Sequence, residues 1–209
     1  EGSVQVSLSP RQQMTNYEYY ARIDNIGGLA LSPEGDKVAV RISDRDDQTY
    51  KSHSRIEIRS VPEGELLDQI EFSSSVYHPE FTSDGSGLYF RASSKEGTYL
   101  WRKDFGSGKI SKVAGPFEHL TKLIIGDKFA VYTVDGERKP AGKDDYTLYN
   151  TLEERLTDWT DKRQIYLMSL KDGVTHKLTD VGDFAIDEIA LDRESTRLAY
   201  TRRYSSPGR

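Results

Sequence analysis

The sequence predicts an all-β fold, a β-propeller of four-stranded antiparallel blades, because two kinds of hairpin repeat along the chain. The first hairpin joins a strand with an apolar end, a turn of small and polar residues, and a strand of alternating apolar and polar residues. Three copies align without gaps: LSPEGDKVAV from Leu31, FTSDGSGLYF from Phe81 and LDRESTRLAY from Leu191. A shorter copy is IIGDKFAVYTV from Ile124. This pattern is typical of a half-buried sheet.

A second hairpin with a glycine-containing turn follows three of these copies. Its members are RIEIRSVPEGELLDQI from Arg55, YLWRKDFGSGKISKV from Tyr99 and QIYLMSLKDGVTHKL from Gln164. Two successive hairpins give four strands, and repeated four-stranded antiparallel units are typical of propeller blades. The alternative is a sandwich of unrelated hairpins, but sandwiches rarely repeat their turn chemistry in register. The repeats therefore favour the propeller.

The hairpins divide the chain into a lead-in segment, 1–24, and a partial propeller, 25–209. The lead-in is expected to form a short helix from Pro10 onward. An insertion at about 135–161 interrupts the third blade between its second and third strands. Insertions in repeat folds emerge on one face, so this segment is where function is expected. About three and a half blades are predicted, an incomplete ring, at about 25–72, 76–115, 117–179 and 183–209.

Composition agrees with this fold and excludes several partners. Hydrophobic residues make up 35% of the chain and charged residues 30%, yet there are 13 tyrosines and 7 phenylalanines, which suits many short, half-exposed strands. A net charge of -5 argues against nucleic acid as a partner. No apolar run is long enough to span a membrane, so the sequence predicts a soluble protein. The absence of cysteine excludes disulfides and is compatible with cytoplasm and periplasm alike.

No catalytic, metal or cofactor site is predicted. The Gly-x-Ser-x-Gly elbow that exposes a nucleophilic serine does not occur. The acidic run SDRDDQ from Ser43 could bind a hard cation through Asp44, Asp46 and Asp47, but it lacks the glycine and distal glutamate of a calcium loop. A solvated loop is the favoured interpretation. None of the histidines has the spacing of a metal pair, and a packing role is expected for the second of them: His53, His78, His119 and His176.

Three segments carry a resemblance to a known family. LSPEGDKVAV, TDVGDFAIDEIALDRESTRLAY from Thr179 and RQIYLMSLKDGVTHKLT from Arg163 resemble the TolB-like propeller repeat. The segment YNTLEERLTDWTDKRQIYLMSL from Tyr149 is similar to one in the propellers of acylaminoacyl-peptidase and dipeptidyl-peptidase-like bacterial members of the prolyl oligopeptidase family. The lead-in also resembles the start of those enzymes, so the resemblance covers nearly the whole chain.

The resemblance implies that the chain is a non-catalytic propeller portion of a serine peptidase. In that family a propeller restricts the entry of peptides to a C-terminal α/β-hydrolase domain, which carries the catalytic residues. The implied partners are therefore that domain and a peptide substrate. The alternative function is a TolB-like scaffold that binds other proteins through a propeller face. In either case, unpaired blade edges are expected to promote self-association.

The resemblance also implies substrate-binding residues in the insertion. Glu153 and Glu154 would hold the free α-amino group of a peptide, since paired carboxylates select an ammonium. The alternative is an exposed turn with ordinary surface charges, which the neighbours Leu152 and Arg155 favour. Arg155 and Trp159 would line the tunnel or the face toward the hydrolase domain. The alternative, which is favoured, is that Trp159 packs the insertion against the blade edge.

Overall fold

The computed structural model describes residues 25–45, 52–135, 163–179, 184–192 and 195–204. These residues form fourteen β-strands in four antiparallel sheets. None of them belongs to a helix that could cross a membrane. The strands are β1 (Asn25–Leu31), β2 (Lys37–Arg45), β3 (Ser52–Ser60), β4 (Leu66–Glu71), β5 (Val76–Phe81), β6 (Gly87–Ser94), β7 (Gly97–Asp104), β8 (Ile110–Phe117), β9 (Leu120–Ile125), β10 (Phe129–Val134), β11 (Gln164–Ser169), β12 (Thr175–Lys177), β13 (Phe184–Leu191) and β14 (Leu198–Tyr204).

Each sheet is a simple meander in which strands pair with their neighbours along the chain. Strands β1–β4 form blade one, β5–β8 blade two and β9–β12 blade three, while β13 and β14 form the first half of blade four. The prediction of an all-β propeller with about three and a half four-stranded blades and an unclosed ring is confirmed.

The first turn of three blades has the same hydrogen bonds. In blade one the N–H of Ser32 donates to the carbonyl of Lys37 and the N–H of Gly35 donates back to Ser32. Blades two and four repeat this pair of bonds, from Thr82 and Gly85 and from Asp192 and Ser195. The residue that donates the second bond has positive φ in each case: 73° at Gly35, 68° at Gly85 and 56° at Ser195. Glycine adopts this backbone without strain, which explains its place in the repeated sequence.

Hydrophobic residues fill the space between successive sheets, and each strand divides its side chains between two such layers. Leu88 and Phe90 of β6 point toward blade one, whereas Tyr89 between them packs with blade three. A third cluster joins blades three and four through Val131, Ile165, Ile186 and Ile189. This division follows from the two-residue period of a strand, which sends successive side chains to opposite faces.

A buried charge crosses the boundary between blades one and two. Lys103 of β7 is only 7% exposed, and its Nζ lies 2.5 Å from a carboxylate oxygen of Asp68 on β4. An ammonium in this position requires a partner because an unpaired buried charge is costly. The ion pair therefore adds a directional contact to the non-directional apolar layer.

The apolar layer between blades one and two should dominate local stability. Leu88 is 0% exposed, so Leu88→Ala is expected to lower the free energy of unfolding by about 2–5 kcal/mol through lost burial and a cavity. Leu67→Ala makes the same chemical change at a side chain that is 51% exposed, and it should change stability by only about 0.5 kcal/mol. Urea unfolding followed by circular dichroism measures both; equal losses would contradict the packing described.

Candidate functional site

The first strand of each blade, here called the inner strand, has one edge that pairs with no neighbouring strand. The inner strands are β1, β5, β9 and β13. Backbone N–H and C=O groups on such an edge need hydrogen-bond partners wherever water is excluded. At three blade boundaries, polar side chains from the preceding blade supply partners, and these contacts build the candidate site.

Blade one binds the edge of β5 at a single residue, Val76. The hydroxyl of Ser54 accepts a hydrogen bond from the Val76 N–H at 2.7 Å and lies 3.1 Å from the Val76 carbonyl, to which it donates. Arg41 donates from Nε to the same carbonyl at 2.9 Å. Gly27 leaves room for this arginine, since a Cβ there would lie 2.9 Å from Arg41 Nη1. Both backbone groups of Val76 are thereby satisfied.

Blade two binds the edge of β9 with a pair of side chains of opposite charge. Arg91 donates from Nη2 to the carbonyl of Leu123 at 3.3 Å. The N–H of Ile125 faces the carboxyl group of Glu80 and lowers its pKa. Alternate residues of a strand direct their backbone groups to the same edge, so one donor and one acceptor side chain together match the edge of β9.

Blade three binds the edge of β13 in a similar way. Arg163 donates from Nη1 to the carbonyl of Ile186 at 3.4 Å. Its Nε also donates to Asp135 at 3.0 Å, and this ion pair holds the guanidinium in place. An arginine thus reaches from one blade to the next inner strand at each of the three boundaries.

One exposed position recurs on all four inner strands, and the set is called the ring positions. Each ring position lies four residues before the residue whose backbone N–H donates across the first turn of its blade. Those residues are Ser32, Thr82, Gly126 and Asp192. In β1, β5 and β13 the ring position falls in a β-bulge, which turns a side chain out of the regular register. The ring positions are Gly28, His78, Lys122 and Glu188.

Two ring positions form an ion pair between neighbouring blades. The ammonium of Lys122 on β9 contacts the carboxylate of Glu188 on β13. Their side chains are 41% and 67% exposed, so solvent screens the pair and its contribution to stability is small. The pair places a positive and a negative charge next to each other along the inner edge.

His78 occupies its ring position with a backbone that histidine rarely adopts. Its φ is 52°, and its ring meets the Tyr77 ring edge to face at 5.4 Å. A packing role is expected for His78 from the sequence; its side chain contacts the Tyr77 ring but is exposed, and the buried neighbour is Pro79. Desolvation lowers the pKa of His78, and the positive charges of Arg91 and Arg41 lower it further. The imidazole is therefore predominantly neutral at pH 7.

Among the described carboxyl groups, Glu80 has a strongly raised pKa. Burial raises the pKa of Glu80 to about 7, although the positive charge of Arg91 and the Ile125 N–H act in the opposite direction. Strongly shifted groups are concentrated at functional sites. The inner edge thus combines a neutral imidazole, a carboxyl that titrates near neutrality and an ion pair. These groups can bind polar or charged parts of a ligand.

The residues that the sequence analysis assigned to substrate binding lie outside the described residues. They are Glu153, Glu154, Arg155 and Trp159. Asp46 and Asp47 of the acidic run also lie outside them. Asp44 is described, and it forms an ion pair with Arg55 at 3.1 Å. Among the described residues no three His, Cys, Asp or Glu side chains lie close enough together to hold a metal ion.

The residues that bind the inner edges were missed in the sequence analysis. Arg41 and Arg91 hold the same place in their hairpins, directly after KVAV and GLYF, so the aligned repeats contained a signal. Glu80 lies between Pro79 and Phe81, and these neighbours gave no signal of its role. Their partners are backbone groups of another blade, and no pattern of side chains in the sequence predicts such a contact.

Comparison with solved structures agrees with this architecture. Acylaminoacyl peptidase from Pyrococcus horikoshii superposes with a TM-score of 0.58 and 12% identity over 81% of this chain and 27% of its own. TolB from Acinetobacter baumannii gives 0.53 and 17% over 87% and 39%, and the tricorn protease gives 0.53 and 15% over 85% and 15%. The fold is a β-propeller. At these identities the similarity establishes the fold alone.

The sequence comparisons add no family to this fold. No protein-family model matches the chain, and no curated protein matches it. The β-propeller spans between 15% and 39% of the length of the three solved proteins named above. The shared feature is therefore a structural unit that accounts for less than half of each larger protein.

Titration of Glu80 should make stability depend on pH. Its folded pKa of about 7 lies above the ordinary value of 4.5, so its contribution to stability is fully present below about pH 4.5 and is lost as pH rises through 7. Glu80→Gln cannot ionise, and its stability relative to the unchanged protein is expected to increase from about pH 5 to about pH 8.

Urea unfolding across this pH range measures the effect. Glu63→Gln removes an exposed carboxylate from the turn between β3 and β4 and serves as the matched control. A Glu80→Gln profile parallel to that of the unchanged protein would show that Glu80 has no raised pKa.

Proposed function

We propose that this β-propeller is part of a prolyl oligopeptidase-like serine peptidase, in which it limits the access of peptides to a hydrolase domain outside this chain. The observation that carries the proposal is the shared fold with acylaminoacyl peptidase and the tricorn protease, which extends over 81% and 85% of this chain. The propeller covers only 27% and 15% of those proteins, so most of each lies outside the matched part. The resemblance of the Tyr149 segment supports the same family.

The geometry of the inner edge supports a role in selecting peptides. Arg41, Arg91 and Arg163 connect each blade to the next inner strand, so they hold the ring positions at fixed places. A peptide that passes along this edge would meet a neutral imidazole at His78 and a charge pair at Glu188. Such a row of groups can favour extended, unfolded chains over bulky folded ones.

The insertion is proposed to contact the peptide as well. On the family resemblance, Glu153 and Glu154 bind its free α-amino group, and Arg155 and Trp159 line the path to the hydrolase domain. The physical basis is the preference of paired carboxylates for an ammonium group. The partners under this proposal are the hydrolase domain and a peptide.

Self-association is a further part of the proposal, and the exposed side of β1 supports it. Ile26, Leu29 and Leu31 are between 63% and 68% exposed. The equivalent residues of β5 are buried against blade one, and they are Val76, Pro79 and Phe81. An uncovered apolar face of this kind favours the packing of another blade, which a second copy of the chain could provide.

A scaffold that binds other proteins is the second candidate function. The observation that favours it is the match to TolB, which extends over 87% of this chain. A scaffold of this type needs no hydrolase domain, so the presence of an activated serine in the parent protein separates the two candidates.

Labelling with a fluorophosphonate probe tests the peptidase proposal. The 209-residue chain should not be labelled, because it lacks a Gly-x-Ser-x-Gly elbow, whereas the full-length parent protein should react at one serine. Heat-denatured parent protein is the control for non-specific reaction. A parent protein that is folded and stays unlabelled would support the scaffold, and labelling of the isolated chain would mean that it holds an unrecognised nucleophile.

Breaking the ring-position ion pair tests selection by size in the parent protein. Lys122→Ala removes an exposed contact worth about 0.2–1 kcal/mol, so the ratio of kcat/KM for long to short peptides should rise by no more than about fivefold. The control is Lys37→Ala, which removes an exposed ion pair with Asp36 at the turn between β1 and β2. An unchanged ratio would exclude a part for this pair in peptide access.

A further inference from the structure

A cavity of about 360 Å³ lies between blades one and two, away from the ring positions. Its wall comes from the β6–β7 turn, strands β7 and β8, and the connection that leaves blade one after β4. The residues that matter for its chemistry are Phe72, Lys95, Glu96, Tyr99, Trp101 and Lys112. This volume is within the range of small-molecule pockets.

Cross-strand pairing builds the wall of the cavity. Trp101 on β7 lies directly opposite Lys112 on β8, so their side chains emerge side by side on one face of the sheet. Tyr99 lies two residues before Trp101 and shares that face, and the Lys112 ammonium is 4.5 Å from the centre of its ring. Phe72 from blade one closes the wall against Trp101, edge to face, with the ring centres 5.1 Å apart.

Two donors on this wall have no acceptor within the described part of the chain. The indole N–H of Trp101 makes no hydrogen bond there, and the Lys112 ammonium contacts a ring but no carboxylate. No fully buried side-chain nitrogen or oxygen lacks a partner among the described residues, so the indole nitrogen keeps some solvent contact. Both donors are therefore available to a bound group.

The acidic side chain of the cavity is already engaged. The hydroxyl of Tyr99 donates to the Glu96 carboxylate at 2.5 Å. Lys112 covers the face of the Tyr99 ring, which is where a ligand cation would otherwise sit. With Lys95 included, the two ammonium groups and the one carboxylate leave the lining with a net positive charge.

We propose that this cavity binds a carboxylate carried on an apolar or aromatic group, such as the C-terminal hydrophobic residue of a peptide. Lys112 and the Trp101 indole N–H hold the carboxylate by charge-assisted hydrogen bonds. The rings of Phe72 and Trp101, which line the cavity, cover the apolar group. The site is independent of a hydrolase domain and of the ring positions, so it stands whether the parent protein is a peptidase or a scaffold.

Tryptophan fluorescence tests the proposal on the full 209-residue chain. The chain has two tryptophans, so Trp159→Phe leaves Trp101 as the reporter. Titration with N-acetyl-phenylalanine is expected to change its emission saturably, and N-acetyl-phenylalanine amide and phenethylamine, at the same concentrations, are expected to bind at least about tenfold more weakly. Calorimetry on the unsubstituted chain gives the same comparison without any substitution.

A lysine variant locates the site. Lys112→Gln should weaken binding of N-acetyl-phenylalanine by at least about tenfold, while Lys109→Gln, an exposed change on the same β7–β8 hairpin, should leave it unchanged. Equal thermal melts for the two variants show that both remain folded. Absence of saturable binding, equal binding of the acid and its amide, or tighter binding of phenethylamine would each overturn the proposal.

Discussion

The structure depends on side chains that bind the unpaired edge of the next inner strand. Apolar layers bring blade faces together, but they are non-directional and permit sliding. A hydrogen bond to a particular carbonyl, such as that of Arg41 to Val76 or Arg91 to Leu123, fixes one register between two blades. It also supplies a partner for a backbone group that would otherwise lose its hydrogen bond on burial. The ring positions are held in place as a result.

The fold could be predicted from the sequence because its turns repeat. Gly35 and Gly85 occupy the same place in two hairpins and adopt the same positive φ, so a single turn geometry leaves the same residue types at fixed spacing. The third copy shows where the pattern weakens, since Ser195 adopts that backbone without being glycine. This copy is still recognisable in the sequence because its strands alternate apolar and polar residues as the other copies do. The division into a lead-in and a propeller stays a prediction.

The candidate site could be predicted only in part. The family resemblance predicted a role for Glu153 and Trp159, which lie outside the described residues. The polar inner edge is visible only in the three-dimensional structure. Glu80 shows the reason. Its partner is the N–H of Ile125, a group that every residue except proline possesses, and its raised pKa comes from burial between blades. The amino acids next to Glu80 in the sequence predict neither property.

Among the described residues, the side-chain contacts named above join neighbouring blades, through Ser54 and Arg41, then Glu80 and Arg91, then Arg163. When blades contact only their neighbours, the molecule behaves as a one-dimensional array. The stability of each blade then depends on the blades packed beside it. Blade two has a packed neighbour on both sides, and blade one exposes Ile26 and Leu29. Local opening should therefore begin at the outer units and reach the centre last, so amide hydrogens of β6 would outlast those of β1 in deuterated solvent.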